Sequence, residues 1–168
     1  MNADEATLER FRIHELLGEY VDSLNHRDWE RYKQCWVEDS VFMMTFVNKG
    51  DAPQDKPDME NLGSIRVVGR DGIMEMVSSY NNKPWLFQVP TGIVVRLDGP
   101  RDGHMRHTLH VNSDYMMIIG ICYDRVRKDD DGVWRLTHRD YQPSYFENLK
   151  RPGIQTRGMP DPGYESYP

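Results

Sequence analysis

Between residues 85 and 141, four strand-like stretches follow one another with little but turn chemistry between them: roughly 85–97, 104–111, 115–127 and 133–141. The connections read Gly99-Pro-Arg-Asp-Gly103, Asn112-Ser-Asp114 and Asp129-Asp-Asp-Gly132, residues that pre-set tight turns or bond their own backbone. Strands joined this closely pair antiparallel, because a parallel crossover needs roughly a dozen residues or more. The first half of the chain has a different rhythm. Leu8, Phe11, Ile13, Leu16, Leu17, Tyr20, Val21 and Leu24 recur near helical spacing over residues 8–24. After the break at Asn25-His-Arg27, Asp28 can cap a second helix to about Trp36. Val41–Val47 reads as a strand, and Asp71 can cap a third helix to about Tyr80, with Ile73, Met76, Val77 and Tyr80 on one side. Helices first and antiparallel strands afterwards make an α+β domain, with helices packed on one face of a curved sheet.

At 168 residues there is room for one domain, expected over residues 1–145. Residues 146–168 end a Pro- and Gly-rich stretch from 142 onward that reads as an extended tail. A net charge of −6 argues against a general nucleic-acid binder, which shows a basic stripe for phosphate. No apolar run is long enough to cross a bilayer, and the acidic start lacks a signal peptide's pattern. A cytoplasmic protein is expected. Cys35 and Cys122 match no metal or redox spacing, and no His/carboxylate cluster has ligand spacing, so no metal is expected.

Two stretches carry a resemblance. Glu19-Tyr-Val-Asp-Ser-Leu-Asn-His-Arg-Asp-Trp-Glu-Arg31, followed by Trp36-Val-Glu-Asp-Ser-Val-Phe42, resembles the opening of the NTF2-like superfamily in its SnoaL-like branch. Cys122-Tyr-Asp-Arg-Val-Arg-Lys-Asp-Asp-Asp-Gly-Val-Trp-Arg-Leu-Thr-His-Arg139 resembles that family's last hairpin. The resemblance spans residues 8–141 and implies a cone: a bent antiparallel sheet and three helices around one deep pocket. Relatives include ketosteroid isomerase, scytalone dehydratase, bile-acid dehydratase, hexachlorocyclohexane dehydrochlorinase and polyketide cyclases, alongside non-catalytic members.

The resemblance also supplies positions. Tyr20 falls where the isomerase has its oxyanion-hole tyrosine, and Asp124 where its aspartic partner sits. In that enzyme the apolar site keeps the acid neutral, so that it donates a hydrogen bond. The isomerase's general base falls on Met44, which takes no proton. The aspartate and histidine of the dehydratase and dehydrochlorinase become Asn25 and Gln88. An enzyme built on this chain therefore draws its base from elsewhere. Period-2 geometry offers one: Met105, His107, Leu109 and Val111 share a strand face, as do Ile118, Gly120, Cys122 and Asp124 on the next. On the last strand Thr137, Arg139 and Tyr141 share a face, but Trp134 and Leu136 form an apolar face of opposite parity.

The expected site thus has His107 as base with Asp124, Tyr20 and Arg139 as catalytic partners. Tyr141, Gln88, Asn25, Met44, Met76 and Leu109 are expected to line it for substrate. The plainer readings are a packed core tyrosine at Tyr20, a buried ion pair at Asp124 and Arg139, and a satisfied interior histidine at His107. Such a set suits proton transfer without a cofactor. The reading preferred is a lyase, by dehydration, other elimination or retro-aldol cleavage, acting on a hydrophobic, oxygenated, aromatic or polycyclic small molecule. An isomerase or cyclase of the same fold is the alternative, and a non-catalytic ligand binder or dioxygenase small-subunit-like protein the second. A homotrimer or other homo-oligomer is expected, with the tail packed on a neighbouring subunit and the loop 48–63 at the pocket mouth.

Overall fold

The computed structural model describes residues 2–45, 65–78, 86–113 and 116–148. The loop 48–63, the end of the third helix near Tyr80 and the tail from 149 onward lie outside them. Helix α1 (Ala3–His26) starts in a reciprocal cap: the Glu5 N–H donates to the Asn2 side chain and the Asn2 N–H to the Glu5 carboxylate. It ends at Arg27, whose φ of 57° is left-handed. Helix α2 (Trp29–Gln34) is capped by Asp28, which accepts from the Arg31 N–H, as its sequence suggests. Strand β1 (Trp36–Met44) starts earlier than the apolar run at Val41 indicates. A short strand β2 (Ile65–Val68) follows, which nothing in the alternation announces, and then α3 (Arg70–Ser78). Strands β3 (Leu86–Leu97), β4 (Asp102–Ser113), β5 (Met116–Lys128) and β6 (Trp134–Asn148) complete the fold. No described helix is long and apolar enough to cross a membrane.

The six strands form one curved sheet in the order β2-β1-β6-β5-β4-β3. The hairpins β3–β4, β4–β5 and β5–β6 are antiparallel, as their short turns require. Strand β1 lies far away in sequence, so no hairpin fixes its direction, and it runs parallel to β6 while pairing antiparallel with β2. The sheet is therefore mixed, with the helices on one face. The buried side of α1 is Glu9, Ile13, Leu16, Leu17, Tyr20 and Leu24. At 100° per residue Leu8 and Phe11 fall on the opposite side, and they are 49% and 58% exposed, outside the stripe their spacing suggested.

Strand β6 resolves a parity conflict in its own sequence. Arg125 pairs with His138, but the next residue, Val126, pairs with Leu136, so Thr137 is an extra residue opposite β5. Its hydroxyl donates to the Arg125 carbonyl at 3.2 Å. This bulge moves the strand by one residue, and both Trp134 and Leu136 before it and Arg139 and Tyr141 after it turn inward and are buried. A second extra residue, Ser144, lies between the pairs Ile119–Tyr145 and Gly120–Pro143, and its hydroxyl donates to the Ile119 carbonyl at 3.3 Å.

Strand β6 also runs through residues 142–148, where an irregular tail was expected, and past the domain limit set at 145. Pro143 is tolerated because β1 pairs no further than Met44 with Tyr141, so that among the described residues β5 is the one strand neighbour of β6 beyond that point.

Two apolar clusters result. The larger joins α1, α2 and α3 to the sheet through residues such as Ile13, Leu17, Trp36, Met105 and Leu136. The smaller, Leu109, Val111, Cys122 and Tyr141, occupies the other half of the same inner face. Helix α1 is tied to the β3 edge by Asn25, whose Nδ2 donates to the Gln88 carbonyl at 3.0 Å and whose Oδ1 accepts from the Gln88 N–H at 2.8 Å. Removing that side chain leaves both half-buried backbone groups unmatched, so Asn25→Ala should lower the unfolding free energy by about 1–3 kcal/mol, read from urea denaturation.

Candidate active site

Three adjacent strands bring a histidine, an aspartate and an arginine between the two apolar clusters. In register, Met105 pairs with Asp124 and Asp124 with Arg139; one step further, His107 pairs with Cys122 and Cys122 with Tyr141. All three polar side chains are buried. Arg139 grips the carboxylate with two parallel bonds, Nε to Oδ1 and Nη2 to Oδ2, both 2.7 Å. His107 Nε2 lies 3.1 Å from Asp124 Oδ2 and 3.3 Å from Arg139 Nη2. One nitrogen cannot donate to the carboxylate and accept from the guanidinium at once. The carboxylate, already an acceptor, makes Nε2–H donation the consistent assignment. His107 Nδ1, Arg139 Nη1 and the Tyr141 hydroxyl are buried and reach no hydrogen-bond partner among the described residues.

The electrostatics follow from burial and from these bonds. Burial by itself would raise the Asp124 carboxyl, but the Arg139 charge and its bonds, aided by His107, hold it below the usual carboxylate range. Burial alone would lower the Arg139 guanidinium, and Asp124 more than reverses that. The guanidinium carbon lies 3.9 Å from the centre of the Tyr20 ring, a cation–π contact in a desolvated setting. Burial pushes the Tyr20, Tyr141 and Cys122 groups upward, so they remain protonated at neutral pH.

A model of the SnoaL-like domain matches residues 5–140. The chain belongs to that family. Solved structures share the SnoaL-like fold at low identity. A putative scytalone dehydratase from Novosphingobium aromaticivorans superposes with a TM-score of 0.71 at 15% identity, over 95% of this chain and 100% of that one. Hexachlorocyclohexane dehydrochlorinase LinA-type3 from Novosphingobium barchaimii gives 0.70 at 15% identity, over 91% and 97%. A putative aromatic ring hydroxylase from Novosphingobium aromaticivorans gives 0.63 at 18% identity, over 83% and 92%. No curated protein matches the sequence.

Within this SnoaL-like domain, the four residues expected to be catalytic do meet. Tyr20 contributes the face of its ring to Arg139, while its hydroxyl accepts from the Tyr32 hydroxyl at 3.2 Å. Leu109 and Tyr141 lie beside them in the smaller cluster, and half-buried Met44, in register with Tyr141, packs against both clusters. Met76 packs on the larger cluster, among the helices. Gln88 is half-buried, and its Oε1 has no hydrogen-bond partner among the described residues. Asn25 uses one N–H and its carbonyl oxygen to clamp the β3 backbone at Gln88, with a second amide N–H beyond those two bonds. Tyr32 was missed. It is buried against Tyr20, ring centres 5.0 Å apart, and the spacing Trp29, Tyr32, Trp36 is the helical signal that could have found it. Among the described residues no group of His, Cys, Asp or Glu could hold a metal ion.

Asp124→Asn tests the electrostatics by leaving the Arg139 charge buried and unmatched, which should cost about 3–5 kcal/mol at neutral pH. A carboxyl held below its unfolded value contributes stability that is complete above that value, about 4, and is lost as pH falls through the folded value. The stability gap between wild type and Asp124→Asn should therefore be full at neutral pH and close as pH drops below about 4, as read from urea unfolding across that range.

Proposed function

We propose that this SnoaL-like domain is a lyase that eliminates water or a comparable group from a hydrophobic, oxygenated small molecule by acid–base catalysis at His107. The observation that carries this reading is the His107 ring itself: one nitrogen fixed on an Asp124 carboxylate already matched by Arg139, the other buried and without a partner among the described residues. Most buried side-chain polar atoms have a hydrogen-bond partner, so a bare ring nitrogen is a candidate for a substrate proton. A ring with one nitrogen oriented and the other waiting is arranged for proton transfer.

The step balances with the chain's own groups. His107 Nδ1 takes a proton from a carbon or hydroxyl of the substrate, and the electron pair left behind forms the new double bond as the leaving group departs. The imidazolium gives the proton to the departing hydroxide, which leaves as water, and the ring returns to its starting state. During the step the imidazolium charge is held by Asp124, and the free N–H of Arg139 Nη1 supplies a donor for the anion that develops on substrate. Tyr20 supports this from behind, holding the guanidinium with its ring face. No cofactor enters the balance. The apolar neighbours Leu109, Val111 and Met44 favour a hydrophobic skeleton. The family assignment and the fold shared with a putative scytalone dehydratase and a dehydrochlorinase are in keeping with elimination chemistry.

Incubating the purified chain with a panel of hydroxylated aromatic and polycyclic compounds, with mass spectrometry of the products, tests the reading. Loss of water or formaldehyde supports a lyase, whereas turnover with unchanged mass would assign an isomerase instead. On the substrate so found, His107→Gln should reduce turnover roughly 100-fold or more with an unchanged circular dichroism spectrum. Full activity in that variant would remove His107 from the mechanism.

A further inference from the structure

The proposed reaction uses His107 and Arg139 and leaves the phenol beside them idle. The Tyr141 side chain is 3% exposed, and its hydroxyl has no hydrogen-bond partner among the described residues. A buried hydroxyl without a partner is destabilising relative to the phenylalanine that would fill the same space, so a partner that arrives with a ligand gives it a purpose.

Its placement is specific. On the inner face His107, Cys122 and Tyr141 stand in one row across three neighbouring strands. Two strand spacings set the outer pair on the order of 10 Å apart at Cα. The residues of β5 that face inward between them are small. A Cβ added to Gly120 would come within 2.6 Å of Tyr141 Cε2 and 2.5 Å of the Gln142 carbonyl, so the bare glycine is what lets the Tyr141 ring lie against β5. Cys122 is the small side chain directly between the histidine and the tyrosine. Along the strands, Leu109, Val111 and Ile118 lie on one side of this row, packed with Tyr141, and the Asp124–Arg139 pair lies on the other.

We infer that Tyr141 is a specificity-determining residue whose hydroxyl anchors a second, non-reacting oxygen of the substrate, so that the substrate class is an aromatic ring bearing a phenolic hydroxyl at one end and the reacting hydroxyl on a side chain at the other. The inference rests on His107 acting at the reacting oxygen. The phenol of Tyr141, kept protonated by burial, donates to or accepts from the substrate's phenolic oxygen, and the substrate's aromatic ring spans the Cys122 position between the tyrosine and the histidine. A substrate lacking the second oxygen would leave the Tyr141 hydroxyl unmatched, which is the arrangement that gives sites their strongest discrimination.

Three small probes separate the two ends: 4-hydroxybenzyl alcohol carries both oxygens, benzyl alcohol only the side-chain one, and 4-methylphenol only the phenolic one. Ligand-observed NMR titration of the full chain should show 4-hydroxybenzyl alcohol binding about tenfold tighter than benzyl alcohol. Tyr141→Phe, which keeps the ring and its packing, should abolish that preference while binding benzyl alcohol no more weakly. His107→Gln should instead abolish the preference for 4-hydroxybenzyl alcohol over 4-methylphenol. If Tyr141→Phe keeps the tenfold preference, or weakens all three probes alike, Tyr141 is a packing residue and the anchor is overturned. If only the His107→Gln arm fails, the anchor stands and the histidine is removed from the reacting oxygen. Failure of all three probes to bind the folded wild type overturns the proposed substrate class.

Discussion

The Asp124–Arg139 pair is the constraint around which the rest of the structure is arranged. Both side chains are fully buried, at 2% and 0% exposure, and removing two charges from water costs several kcal/mol per ion before any compensation. Compensation comes from three directions. Two parallel 2.7 Å bonds match fork to carboxylate, the His107 ring adds a third bond, and the Tyr20 ring covers the guanidinium. These contacts join β4, β5, β6 and α1 at one point, so the position of each element is fixed by the need to keep a buried charge paired. Pairs of this kind stabilise little compared with an apolar core, and they are costly to break on one side. Here the pair forms a polar centre set between two apolar clusters.

The second constraint is that β6 must serve two purposes. Its first part supplies Trp134 and Leu136 to the larger cluster, and its second part supplies Arg139 and Tyr141 to the site. In a regular strand those two sets point to opposite faces. A single additional residue, Thr137, reconciles them, and its hydroxyl caps the Arg125 carbonyl that the disrupted ladder would otherwise leave less well matched. Bulges often stand next to active sites for this reason, because one inserted residue re-aims every side chain that follows it.

That bulge also marks the limit of what the sequence discloses. Alternation placed His107, Leu109 and Val111 on one face of β4, and Cys122 and Asp124 on one face of β5, as the structure has them. The start of α2 was legible through Asp28, whose carboxylate does cap it, whereas Asp71, expected to cap the third helix, lies within the first turn of α3, and α1 begins at Ala3, ahead of the periodic pattern. What alternation cannot show is a change of parity within a strand, since a bulge is an event of pairing with β5 and leaves Thr137 looking like any strand residue. Strand β2 was hidden for a related reason. Four residues are too few for a periodic signal, and it exists because β1 offers it an edge. Matching Asn25 to a relative's aspartate carries over position but not chemistry. An amide has both a donor and an acceptor, and the β3 backbone uses both.

The clamp at Asn25 bears on how the site is built. A side chain on α1 moves with a helix docked on the sheet, whereas His107 sits in β4 with hydrogen-bonded strands on both sides. Besides the amide clamp, α1 supplies Tyr20, whose ring braces Arg139. The carboxylate that orients the histidine is likewise on the sheet, one strand away, and its charge is already matched by Arg139. What Asp124 gives His107 is therefore direction more than charge: it fixes which nitrogen carries the hydrogen and where the other one points. The position of His107 therefore rests on strand register and side-chain packing, so the proposed proton transfer would lose much of its effect on a misplacement of about 1 Å.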